Sequence, residues 1–127
     1  MSTLRVTGTE SCGNSPKNRT VAEFVVALAR GDRPALAARV ADTCTLDHAT
    51  DPGVPGTEGR ESVVDALCAR VPARLTALHV DGVATHGKDA AAWGSWTADG
   101  VRAFWFLAGT FRTVKAEEFA RLRLSTG

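Results

Sequence analysis

Apolar residues recur along this chain with two periods. In the first half Val21, Phe24, Val25 and Leu28 fall at i, i+3, i+4 and i+7, the stripe of a helix with one buried face. Ser15 precedes Pro16, so a capping hydroxyl stands before a proline suited to the first helical turn. Gly31 stops this helix. Asp32 caps a second, short helix that turns Leu36 and Val40 inward. Residues 43–49 suit a strand. The stretch TDPGVPGTEGR (50–60), with two prolines and three glycines, predicts a loop. A third helix then sets Val64, Leu67, Cys68 and Val71 on one face and ends at Pro72.

From residue 75 onward the pattern alternates in part, as strands require. HGKD supplies a two-residue turn with glycine first, and ADGV a second tight turn. Strands are therefore expected over 75–86, 89–98 and 101–112. The last segment is ambiguous: EFARLRLST reads as a strand, VKAEEFARL as a helix, and both remain open for 114–125. Helices at the front and an antiparallel meander at the back indicate an α+β fold with the helices on one sheet face.

Composition narrows the class. A chain of 127 residues, 44% hydrophobic and 23% charged, fits one globular domain. We expect an extended segment over 1–13 and a single domain over 14–127. The net charge of +1 comes with scattered basic residues, so a nucleic-acid partner is not expected. MSTLRVTGTE has no apolar core of a signal peptide, and no apolar stretch nears the roughly 18 residues of a membrane span, which predicts a cytoplasmic protein. Cys12, Cys44 and Cys68 are widely spaced and match no zinc pattern. They read as reduced thiols, with no metal or cofactor expected.

CGNSPKN, a helix closing in ARGD, EGRESV opening the third helix, and THGKDAAAWG before a DG hairpin together resemble the nuclear transport factor 2-like superfamily, in particular its bacterial SnoaL-like branch. The resemblance spans the chain from about Cys12 to the last strand. It implies a cone-shaped, cystatin-like α+β fold: a curved antiparallel sheet with three helices on its concave face, enclosing a pocket, often as a homodimer. The superfamily includes isomerases, cyclases, hydrolases and dehydratases as well as non-catalytic modules, so the activity must come from the site. Many such relatives carry a tryptophan followed by an acid on the first strand, where Leu46 and Asp47 stand here. Trp93 and Phe106 replace small polar residues, which makes the implied pocket more apolar.

CTLDHATD (44–51) places Asp47 beside His48. On a regular strand the two point to opposite sides, so they form no dyad; His48 goes with Leu46 and Cys44. The two turns set a register in which Gly82 faces Trp93, His79 faces Trp96, Gly94 faces Trp105 and Trp93 faces Phe106. One surface then collects Leu78, Val80, Ala84, Trp93, Phe104 and Phe106, and the other His79, Asp81, Trp96, Trp105, Leu107 and Phe111. The first, being more apolar, is expected to face the helices, although the reverse would put His79, Asp81, Trp96 and Trp105 in the pocket. A sheet with two apolar faces needs two covers, and a second copy of the chain is the simplest second one. The site so predicted is an apolar ligand pocket of Leu46, His48, Trp93, Phe104 and Phe106. His48 is its candidate catalytic base, and the outer sheet face is the candidate dimer contact. A non-catalytic dimeric binding module is the alternative.

Overall fold

The computed structural model describes residues 4–13, 15–47, 56–115 and 117–126. Helix α1 (Pro16–Arg30) begins where the sequence signals it. The Ser15 hydroxyl accepts from the Asn18 N–H, and Gly31 closes the helix in the left-handed conformation, φ 67°. Asp32 caps α2 (Arg33–Ala37) by accepting from the Ala35 N–H. Strand β2 (Val40–Asp47) leads to the short β3 (Thr57–Glu58) and then α3 (Arg60–Arg70). The meander follows as β4 (Leu75–His86), β5 (Asp89–Ala98) and β6 (Val101–Phe111). The ambiguous last segment is a strand, β7 (Phe119–Thr126), because it pairs with β6 on one side and β2 on the other. Arg5–Thr7, within the expected lead-in, form β1 beside β4.

The sheet runs β1-β4-β5-β6-β7-β2-β3. It is curved and unclosed, and two of its pairings are parallel: β1 with β4, and β2 with β7. The predicted pairs Gly82–Trp93, Gly94–Trp105 and Trp93–Phe106 all form. His79 instead faces Ser95, and Leu78 faces Trp96. The cause is a bulge: Val80 pairs with Gly94 and Gly82 with Trp93, leaving Asp81 as an extra residue in β4. One extra residue inverts the side-chain alternation on the strand before it. Leu78 and Val80 therefore join Trp96 and Trp105, while His79 goes to the other side with Trp93.

That inversion decides which face meets the helices. Trp96, Trp105, Leu107 and Phe111 are buried in one cluster with Val21, Phe24, Val25 and Leu28 of α1 and Val63, Val64 and Leu67 of α3. Phe24 packs edge-on against Phe119 at 5.0 Å, and Phe119 stacks on Phe111 at 4.2 Å. The inner face is thus the second predicted surface with Leu78 and Val80 in place of His79 and Asp81. The expectation that the Trp93 face meets the helices is overturned. Leu78 and Val80 had made that face look the more apolar, and the bulge removes both from it.

Candidate functional site

Leu46 is fully buried on the inner face, paired with Leu122 of β7, and Cys44 is buried with it. Asp47 points outward, as alternation requires. Its carboxylate accepts from Arg121 Nε at 2.8 Å, with an Arg123 nitrogen at 3.7 Å, so it is held in a cross-strand ion pair. His48 lies outside the described residues. Trp93, Phe104 and Phe106 lie on the opposite face from Leu46, 39%, 60% and 43% exposed. The structure therefore does not bring the predicted pocket residues together: one lines the core, and three form an aromatic surface.

The two tryptophans of the inner face, Trp96 and Trp105, are 2% and 3% exposed, with ring centroids 6.0 Å apart. Trp105 lies across Gly94, where an added Cβ would sit 2.8 Å from the indole and 2.0 Å from the His79 carbonyl oxygen. Both indole Nε1 donors are buried without an acceptor among the described residues. Buried donors in folded proteins are nearly always paired, so two neighbouring unpaired ones are informative. No Asp, Glu, Lys, Arg or His is among the buried residues described; the ionisable side chains there are thiols. Burial pushes the Cys44 thiol up to about 11. Burial, with some help from Glu10, also raises Cys12. Neither is a nucleophile near neutral pH.

The other polar candidates do structural work. Asn18 donates to the Cys12 carbonyl at 2.8 Å and accepts from the Thr85 hydroxyl at 2.7 Å, so CGNSPKN fastens α1 to the end of β4. In EGRESV, Arg60 donates to the Val40 carbonyl at 2.7 Å and pairs with Asp42 and Glu118, joining α3 to β2 and to the segment entering β7. His79 Nδ1 lies 2.8 Å from the Thr7 hydroxyl and Nε2 lies 3.1 Å from Asp81, which fastens β1 to the bulge. That chain was not legible beforehand, because it depends on the bulge and on β1 joining the sheet. His86 faces Asp89 across the first turn, as predicted, and Asp89 accepts from Thr110. Among the described residues no cluster of His, Cys, Asp or Glu is placed to hold a metal ion.

The fold is that of the nuclear transport factor 2-like proteins. An NTF2-like protein from Burkholderia xenovorans LB400 superposes with a TM-score of 0.71 at 15% identity, covering 87% of this chain and 82% of that one. A ketosteroid isomerase-like protein from Kribbella flavida DSM 17836 gives 0.71 at 14% identity, covering 87% and 77%. A SnoaL-like polyketide cyclase from Shewanella denitrificans OS-217 gives 0.67 at 8% identity, covering 90% and 92%. No family model and no curated protein matches the sequence, so the likeness is one of fold. No helix of the described residues is long and apolar enough to cross a membrane.

Proposed function

We propose that this protein is a homodimeric small-molecule-binding module, its two copies meeting through the outer sheet face. The observation that carries this reading is the division of the sheet's aromatic residues. Trp96 and Trp105 are buried on the inner face, whereas Trp93, Phe104 and Phe106 stand exposed and adjacent on the outer one. A contiguous aromatic patch on a sheet is the kind of surface that another chain covers. Arg102, Arg121, Arg123, Asp47 and Asp89 surround it. A rim with both signs of charge suits pairing with a copy of itself about a two-fold axis.

Within each subunit the indole donors of Trp96 and Trp105, unpaired among the described residues, favour an apolar ligand that carries an acceptor oxygen. With no acid or histidine among the buried residues described, the binding reading stands ahead of a catalytic one. A proton-transfer activity of the isomerase or cyclase kind would rest on His48 as base, and His48→Ala would abolish it.

Light scattering at micromolar concentration tests the assembly: the chain runs as a dimer, and Trp93→Ser with Phe106→Ser runs as a folded monomer. A wild-type monomer would overturn the dimer. A thermal-shift screen with apolar ketones and quinones tests the ligand. Binding raises the unfolding temperature, and Trp96→Phe or Trp105→Phe, which remove only the donors and some ring area, lose that rise. No shift across the screen would sink the ligand reading.

A further inference from the structure

A cleft of about 530 Å³ lies where α1 and α3 both end, beside the start of β4. That is within the usual size range of small-molecule sites. Leu28, Val71, Pro72 and Leu75 are among its apolar lining, and Cys68 lines it as well. Among the described residues that line it, the charged groups are two guanidiniums, Arg30 and Arg74.

Arginines near helix C-termini often serve only to occupy the last carbonyls. Here the backbone already does so. Gly31 and Asp32 N–H groups donate to Leu28 and Ala27 of α1, and the Val71 N–H donates to Cys68 of α3. Arg30 has no hydrogen-bond or ion-pair partner among the described residues. Arg74 reaches Asp99 only at 3.7 Å, and both side chains are well exposed, so that pair holds it weakly. Arg74 also has φ 60°, a left-handed conformation uncommon for a non-glycine residue. Burial and Asp65 raise the Cys68 thiol, partly offset by Arg33, so it adds little negative charge near neutral pH.

We propose that this cleft binds a small apolar carboxylate, its tail against Leu28, Val71, Pro72 and Leu75 and its headgroup on Arg30 and Arg74. Apolar lining side chains and two guanidiniums match the two halves of such a molecule. The site is separate from the indole pair and independent of the reading above.

The test is calorimetry on the full chain with decanoate, kept below its micellar concentration, and with 1-decanol as the neutral control. Decanoate binds saturably, one per chain, and at least about 10-fold more tightly than decanol. Arg30→Gln and Arg74→Gln each weaken decanoate by roughly 5- to 10-fold and leave decanol unchanged, while Arg30→Lys retains most of the affinity. Circular dichroism verifies that each variant is folded. Saturating decanoate also slows modification of Cys68 by a thiol reagent, which locates the bound molecule. Absence of saturable binding, equal affinity for decanol, indifference to both glutamine substitutions, or an unprotected Cys68 would each overturn the proposal.

Discussion

Two glycines under two tryptophans show how much a single Cβ decides. Gly94 lies beneath buried Trp105 and against the His79 carbonyl, 2.0 Å from where a Cβ would stand. Gly82 lies beneath Trp93, whose ring would be 2.4 Å from an added Cβ. The clashes differ in kind. Backbone and a packed ring cannot give way, whereas an exposed ring can swing out. Gly94→Ala should cost about 3 kcal/mol or more in chemical denaturation, and Gly82→Ala no more than about 1 kcal/mol. Equal costs would mean that Trp93 is held as tightly as Trp105. Cys44 gives a pH signature. Its folded value, about 11, lies above the ordinary 9.0, so the native state holds its proton longer than the unfolded chain. This contribution is complete below about pH 9 and is lost as pH rises toward 11, on the order of 2 kcal/mol. Wild-type stability should fall more steeply across that window than that of Cys44→Ala, and parallel curves would contradict the assignment.

At the scale of elements, β4 carries the decision. With Asp81 as the extra residue, Leu78 and Val80 turn inward and His79 outward. Deleting Asp81 restores simple alternation and forces one half of the strand to present the wrong side chains. The deletion should prevent cooperative folding, whereas Asp81→Asn should shift the thermal midpoint by only a few degrees. A stable, cooperatively folding deletion variant would show that the strand can absorb the slip. Arg60 binds α3 to its neighbours through the Val40 carbonyl and two carboxylates. Its side chain is partly exposed, so Arg60→Ala should cost about 1–2 kcal/mol in urea denaturation, much of it from the carbonyl left without its donor.

For the whole molecule, the proposed cover over the outer face would link folding to assembly. If a second copy covers Trp93, Phe104 and Phe106, the thermal midpoint rises with protein concentration, because only the native chain dimerises. The Trp93→Ser, Phe106→Ser variant should show a midpoint independent of concentration. A concentration-independent wild type would argue for a monomer.

Periodicity and local chemistry made much of this protein legible. The stripe of α1, the Ser15 and Asp32 caps, the stop at Gly31, the turns at 87–88 and 99–100, and the outward aim of Asp47 all follow from interactions within a few residues. The pairs Gly82–Trp93 and Gly94–Trp105 follow as well, since a tight turn fixes register outward from itself. Tertiary structure alone decided the rest. Whether the last segment is strand or helix depended on a free edge of β6 and the arrival of β2. Which face meets the helices depended on one extra residue in β4, which no hydrophobic pattern announces because a bulge is selected by sheet curvature and cross-strand packing. Alternation alone separates Trp96 and Trp105 from Trp93, Phe104 and Phe106; with Asp81 as the extra residue, Leu78 and Val80 join the first pair in the core and leave the other three at the surface. Local sequence set each strand's alternation; only the assembled sheet set its phase.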